Sequence, residues 1–307
     1  METDERRIRL RDERAATAHY RGGIEIRMIS TFVFFAVLWV GVIVLGISGV
    51  IPLWLGLILN TIFASTFYMP MHEAAHGNIW GNARRGRWVE DLIGMLCAIP
   101  LGFSFKAHRP SHMRHHAYTN DPSRDPDFHV AGPMYTILKS WYAQVMLATF
   151  LPVFAFVPVA RKLIPPSTFA AMGGGGNDRR TGLIQLRFWF LSTAVLVIAF
   201  LTGFGWPALL LWYLPSRLQA LWLLTVFAWF PHHPSTEVGR YVDTRVAVFP
   251  GSGLLIRGHD HHAVHHLFPR VPHYRLRRLW NDISADMVAK GVRAEGRATG
   301  ATGPIIW

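Results

Sequence analysis

Two long apolar stretches dominate the chain. Residues 28–71 contain no Asp, Glu, Lys or Arg, and residues 188–231 contain a single such residue, Arg217. A helix needs about 20 apolar residues to cross a hydrocarbon core of about 30 Å, so each stretch is long enough for two crossings. Glycine and proline residues at 46–52 and 203–207 predict a tight turn in the middle of each stretch. The pattern therefore predicts an all-α integral membrane protein with four transmembrane helices arranged as two hairpins.

Two shorter apolar runs lie outside these hairpins. Residues 140–160 carry no charge, but prolines interrupt them at positions 152 and 158. The run at 92–105 is short for a crossing, and its length is typical of a re-entrant or interfacial segment. We expect both runs to re-enter the membrane or to lie at its interface. The first span lacks the small-residue cleavage site of a signal peptide, so we expect it to be a retained helix.

The charged residues are mostly basic and flank the apolar stretches. The chain carries a net charge of +12, although only 16% of its residues are charged. Arginines are frequent in residues 1–27 and in the loops that follow each hairpin, whereas the two predicted turns contain no Lys or Arg. Because Lys and Arg accumulate on the cytoplasmic side of membranes, both termini and the large loops are predicted to be cytoplasmic. This distribution explains the basic charge without nucleic acid as a partner.

Histidines are concentrated at the predicted cytoplasmic ends of the hairpins. The chain has 16 of them, and three groups follow the spacings HEAAH, HMRHH and HAVHH. Helical residues three or four apart share one face, so each group directs two or three imidazoles to one side. Imidazole suits iron, zinc, copper and nickel, and eight imidazoles exceed what one four-coordinate zinc uses, which favours two metal ions. The candidate ligands are His72, His76, His112, His115, His116, His262, His265 and His266.

Two other functions are compatible with parts of this pattern. HEAAH matches the HExxH signature of zinc peptidases, in which Glu73 would be the general base of an intramembrane protease. Such a site needs only one further ligand, so two whole histidine groups would have no role. A metal-storing or metal-transporting membrane protein is the second alternative. A transporter is expected to carry ionisable residues within its spans, and here Arg217 is the only charged residue in the two stretches.

The order of the three histidine groups around two membrane hairpins resembles the membrane fatty acid desaturase/hydroxylase superfamily. The resemblance covers residues 28–280. It implies four transmembrane helices capped by a cytoplasmic domain that holds two iron ions. It also implies that dioxygen and two electrons are used to desaturate or hydroxylate an unactivated C–H bond of a lipid. The chain would then consist of a basic cytoplasmic N-terminal segment (1–27), a membrane and di-iron domain (28–285) and a C-terminal tail (286–307).

The same resemblance assigns roles to individual residues. It places iron ligands on the eight histidines above and adds His232, which follows the fourth predicted helix in the run FPHHP. In some family members, an Asn or Asp one helical turn before that histidine is a water-mediated or outer ligand of the metal. This chain has Ala228 at that position. The candidates to replace the missing ligand are His108, His233, His259, His261 and Asp260. We expect no metal role for His19, His129 and His273.

The residues around the histidine groups leave several roles open. Asp121, Asp125 and Asp127 are candidates to orient ligating imidazoles, although an Asp/Pro turn explains them equally well. Glu73 is a candidate outer acceptor, and Gly77 is expected to end its helix. The glycine run 173–176 predicts a flexible loop.

The histidine groups do not distinguish desaturation from hydroxylation. We favour a fatty acyl desaturase, and the alternative is a carotenoid or isoprenoid ring hydroxylase or ketolase, because the segments HMRHHAYTNDPSRDPDF and HAVHHLFPRVPHY resemble both branches. The chain shows no GxGxxG fingerprint and no haem or iron–sulfur module, so the electrons should come from a separate donor. The resemblance implies a ferredoxin with its reductase, and in a bacterium the enzyme would lie in the inner membrane.

Overall fold

The computed structural model describes residues 11–83, 85–156 and 179–307, so residues 1–10 and the predicted loop at 173–176 lie outside the described residues. The described chain is mostly helical. Its helices are α1 (Ile26–Ile47), α2 (Leu53–His76), α3 (Trp88–Leu101), α4 (Phe105–Tyr118), α5 (Tyr135–Phe156), α6 (Arg179–Leu201), α7 (Gly205–Trp229), α8 (Ser252–Leu255), α9 (His262–Leu267) and α10 (His273–Ala289).

Four described helices, α1, α2, α6 and α7, are long and apolar enough to cross a membrane. They form two hairpins with turns at 48–52 and 202–204, which confirms the prediction of four spans. The second hairpin differs in detail, because α6 begins at Arg179, before the uncharged run starts, and Pro207 lies inside the first turn of α7. Hydropathy marks the part of a helix that can lie in lipid, whereas its ends follow from backbone hydrogen bonding.

The run at 92–105 lies in a broken helix. Helix α3 ends at Gly102, whose φ of 77° is left-handed, and the chain bends by 100° into α4. A helix end at membrane depth leaves carbonyls without partners, and side chains of α6 and α7 supply the donors. Trp189 and Arg217 both donate to the Gly102 carbonyl, and Gln219 donates to that of Leu101. Arg217, the only charged residue in the two apolar stretches, thus stabilises the bend between α3 and α4.

The run at 140–160 begins within α5, which is not among the four candidate spans. Residues 157–160 lie outside the described part of the chain. The prediction that this run re-enters or lies at the interface therefore stays a prediction.

The two hairpins pack through small residues. A short π-helical segment, Leu209–Tyr213, brings Leu211 of α7 against Gly46 of α1 and Gly56 of α2. Asn60 donates to the Leu211 carbonyl at 2.7 Å. Glycines at helix interfaces let the backbones approach closely, which is the main source of packing in lipid. The turn ends of both hairpins therefore meet, and the histidine-bearing ends lie together at the other end of the bundle.

Substituting Gly56 with Val is expected to lower the apparent melting temperature of the detergent-purified protein. A Cβ at Gly56 would lie 2.3 Å from Cδ2 of the fully buried Leu211, and overpacking of this kind costs about 1–3 kcal/mol. Gly41→Val is the matched control, since a Cβ there has no neighbour within 4 Å. Equal melting temperatures for the two variants would contradict this packing.

A small parallel sheet joins the end of α7 to the C-terminal residues. Strands β1 (Arg245–Val248) and β2 (Arg293–Gly296) pair in parallel, an addition to the predicted all-helical cap. The buried Arg245 donates to the Phe230 carbonyl, to Glu295 and to the Ile306 carbonyl. The end of α7 and the segment beyond residue 286 are thereby tied together. The three predicted regional boundaries themselves stay predictions.

Candidate metal centre

Four helix ends bring the candidate ligands together. His72 and His76 lie in the last turn of α2, which ends at Gly77 with a left-handed φ of 69°, as predicted. Helix α4 carries the second histidine group, α9 carries the third, and His232 follows the end of α7. Their side chains are buried or half-buried at one end of the helical bundle.

The nine predicted ligands form two clusters, each with all of its ligand atoms within 4.8 Å of one another. Helices α4 and α9 contribute to both clusters, because neighbouring residues on a helix point in different directions. The five-histidine cluster consists of His72, His76, His112, His116 and His265. The four-histidine cluster consists of His115, His232, His262 and His266.

The Nε2 atoms of these rings are too close together for hydrogen bonding to explain them all. His112 Nε2 lies 2.9 Å from that of His76 and 3.1 Å from that of His116. In the other cluster, His232 Nε2 lies 3.2 Å from that of His115 and 2.9 Å from that of His262. An imidazole nitrogen carries one proton or one lone pair, so it can serve only one such neighbour. Nitrogens that converge in this way fit a shared metal ion.

The protonation states of the third histidine group suit metal binding. Burial, followed by repulsion from neighbouring imidazoles, lowers the pKa of His262, His265 and His266 well below the ordinary value for histidine. Metal ligation requires the neutral imidazole, so these rings are ready to bind an ion without first losing a proton.

Of the three aspartates in the loop after α4, Asp125 contacts a predicted ligand most closely. Its Oδ1 accepts a hydrogen bond of 2.8 Å from His115 Nδ1, and its Oδ2 accepts the Asn120 amide at 2.7 Å. This contact fixes the tautomer that leaves His115 Nε2 free for a metal. Asp121 instead accepts hydrogen bonds from Ser123 and Arg124 at the surface, so it stabilises the turn, which was the alternative prediction. Asp127 borders a cavity next to the clusters.

Glu73 is buried and supports the first histidine group from outside. It accepts hydrogen bonds from Asn78 Nδ2 at 2.7 Å and from the His273 amide at 3.1 Å. Asn78 also donates to the Pro269 carbonyl, and Arg270 donates to that of His76. The segment after α9 is thus held against the end of α2. The position of His273 in the sequence did not predict its contact with Glu73.

None of the five candidates to replace the ligand missing at Ala228 belongs to either cluster in the described residues. His261 is hydrogen-bonded to Asp260, and His233 packs on Trp229. His108 and His259 line the cavity beside the clusters. The four-histidine cluster therefore has one protein ligand fewer than its neighbour.

The cavity, called here the cluster-side cavity, has a volume of about 190 Å³ and touches ligands of both clusters. Its lining includes His112 of the five-histidine cluster and His115 and His262 of the four-histidine cluster. Its apolar walls include Phe103 and residues of the π-helical end of α7, among them Leu224 and Phe227. It can place an apolar group directly beside both histidine clusters.

Comparison with known proteins agrees with this arrangement. Residues 48–295 match the family model described as fatty acid desaturase. The chain is 27% identical over 238 residues to an sn-1 acyl-lipid omega-3 desaturase (ferredoxin) of Synechocystis, covering 72% of this chain and 64% of that enzyme. It is 28% identical over 210 residues to a beta-carotene ketolase of Paracoccus, covering 67% and 69%.

An omega-6 fatty acid desaturase of Arabidopsis chloroplasts is 24% identical over 230 residues, which cover 71% of this chain and 50% of that enzyme. The chain thus spans less than two thirds of the length of either acyl desaturase. The family match covers most of the chain, including all three histidine groups and three of the four candidate spans, and it begins directly after α1. This integral membrane protein belongs to the fatty acid desaturase family.

Proposed function

We propose that this enzyme holds two iron ions and uses dioxygen to oxidise C–H bonds of a membrane lipid, with acyl chain desaturation as its reaction. The observation that carries the proposal is the pair of histidine clusters bordering one largely apolar cavity. Imidazole is a suitable ligand for iron. A zinc peptidase site uses only three protein ligands, so it would leave most of the nine converging imidazoles without a role. An apolar cavity suits a hydrocarbon substrate.

The protein residues have defined tasks in this reaction. When bound, the two irons would supply dioxygen activation and the removal of hydrogen from the C–H bond. The nine histidines hold the ions, and Asp125 orients His115 toward its cluster. Phe103, Leu224 and Phe227 exclude water and position the hydrocarbon, because reaction at one carbon requires a fixed geometry.

Oxidation of a carotenoid or other isoprenoid ring is the second candidate function. The similarity to the beta-carotene ketolase is as high as that to the acyl desaturases. The cavity also contains His108, His259 and Gln144, which an unsubstituted acyl chain does not need. These polar residues favour a substrate that carries oxygen at some stage.

The proposed partner is a separate electron donor of the ferredoxin type, as in the printed name of the Synechocystis relative. The two hairpins bring both clusters to one end of the bundle, and the turns at the other end contain no Lys or Arg. We therefore place the clusters and both termini in the cytoplasm, where a reduced carrier is available. The basic loops would attract an acidic donor.

Metal content tests the proposed function directly. Protein made in iron-supplemented, zinc-depleted cells and purified in detergent is expected to hold two irons per chain. Mössbauer spectra of the oxidised protein are expected to show a coupled ferric pair, since the two clusters share α4 and α9. One tightly held zinc without iron would contradict the proposal and favour peptidase chemistry at Glu73.

A further inference from the structure

The loop between β1 and the third histidine group exposes two neighbouring apolar side chains. Leu254 is 86% exposed and Leu255 is 43% exposed, and both lie in the short helix α8. One exposed leucine is ordinary on the surface of a water-soluble domain. This pair differs because the rest of the 249–257 loop is bound to the membrane helices.

Contacts directly after the leucines attach the loop to α2. Arg257 Nη1 donates to the Ser65 carbonyl at 2.8 Å, and its Nη2 donates to the Ser65 hydroxyl at 3.1 Å. Ile256 is 1% exposed and lies in the same hydrophobic core as Phe67 of α2. The leucines therefore project from a backbone that is fixed to a candidate span.

The part of α2 that the loop contacts lies inside the membrane. The Phe67 ring packs against Phe32 and Trp39 of α1, with ring centroids 6.1 and 6.3 Å apart. At a rise of about 1.5 Å per residue, Phe32 and Trp39 lie about 9 and about 20 Å along α1 from its first residue, Ile26. Ser65 precedes Phe67 by less than one helical turn. The 249–257 loop thus reaches α2 below the edge of the hydrocarbon core.

An aromatic group connects the same loop to the other hairpin. Trp307 is 65% exposed, and its ring centroid lies 5.7 Å from that of Phe249 and 5.5 Å from that of Phe230. Phe230 directly follows α7, at the end that carries His232. Tryptophan is enriched at the membrane–water interface, where its ring lies at the level of the lipid headgroups. The loop therefore touches the histidine-bearing ends of both hairpins.

We propose that the 249–257 loop inserts into the lipid leaflet on the histidine-bearing side of the membrane, with Leu254 and Leu255 among the acyl chains. The partner is the bilayer itself, because the contacts of the loop continue the surface of two spans that already lie in lipid. Short apolar segments of this kind bind at the boundary between headgroups and acyl chains.

Insertion has a consequence for the metal centre. The His259 amide donates to the Ile256 carbonyl at 2.9 Å, and Ser252 Oγ donates to Asp260 at 2.8 Å. The loop is thereby joined to the start of α9, which carries the third histidine group. A loop anchored in lipid fixes the depth of these histidines relative to those at the end of α2.

Fluorescence quenching by brominated lipid tests the insertion. Leu254→Cys would be labelled with an environment-sensitive fluorophore and reconstituted into phosphatidylcholine vesicles whose acyl chains carry bromine near their carbonyl ends. Cys97, the only native cysteine, is fully buried, so we expect no label there. We expect the probe at position 254 to lose most of its fluorescence when brominated lipid replaces ordinary lipid. Interfacial segments insert about 5–10 Å, which brings the probe close to these bromine atoms.

Ala285→Cys is the matched control. Ala285 is exposed on α10 next to the exposed Asp282 and Asp286, so its probe is expected to face water and to keep its fluorescence. Leu255→Cys is a second test site on α8 and is expected to be quenched like Leu254→Cys.

Two results would overturn the proposal. One is quenching at positions 254 and 255 that is as weak as at position 285. The other is a probe at position 254 that emits as in an apolar environment but is not quenched by brominated lipid, because a second copy of the chain or another protein would then cover the leucines. The measurement needs no bound iron, so its failure would leave the proposed function unaffected.

Discussion

His115→Ala and His265→Ala are each expected to abolish product formation while the chain still inserts into the membrane. The two residues belong to different clusters, and both side chains are buried among other imidazoles. Each substitution removes one nitrogen ligand, and both ions are required for the oxidation. Neither residue lies in one of the four candidate spans, so we do not expect insertion to depend on them.

Activity in membranes, iron per purified chain and membrane fractionation together check this result. We expect iron content to fall from two toward one in each variant, with the remaining ion in the undamaged cluster. His19→Ala is the control, because His19 is exposed and lies outside both clusters. Full activity in either ligand variant would contradict the assignment of that residue.

Asp125→Asn is expected to lower the iron affinity of the four-histidine cluster about 10- to 100-fold, the usual cost of losing a carboxylate behind a ligating histidine. Asp125 accepts hydrogen bonds from His115 Nδ1 and from the amides of Asn120 and Asp127. An amide in its place is neutral and presents a donor on one side, so the orientation of His115 is no longer fixed. Chelator titration followed by Mössbauer spectroscopy measures which ion is lost first.

Asp121→Asn is the matched control from the same loop. Its carboxylate accepts hydrogen bonds from Ser123 and Arg124 near the surface and does not touch a ligand. We expect its iron affinity and activity to stay within about twofold of wild type, as for most surface substitutions. Similar losses in the two variants would show that the loop acts through folding alone.

Local patterns in the sequence were sufficient to predict the spans and eight of the nine clustered histidines. The near absence of charge over 28–71 and 188–231, where Arg217 is the one charged residue, indicates how much of the chain can lie in lipid and predicts four spans. Spacings of three and four residues report which imidazoles share a helix face. All nine predicted histidines therefore reappear in the two clusters. His232 required the family resemblance, since no spacing links it to the other groups.

The same patterns could not distinguish residues whose roles depend on distant partners. Asp121 and Asp125 are alike in sequence, and only the position of His115 separates them. Glu73 and His273 meet across 200 residues of chain. The sequence predicts no metal role for His273, and no local pattern indicates its contact with Glu73.

The sequence by itself determined the membrane class, the four spans and the three spaced histidine groups, because each depends on composition or on periodicity within one element. The tertiary structure decided the rest: the division of the nine histidines into clusters of five and four, the hydrogen bond of Arg217 to the bend before α4, and the location of His108 and His259 beside the cavity. These features depend on how separate helices cross and on which buried polar groups find partners. No local spacing encodes either property.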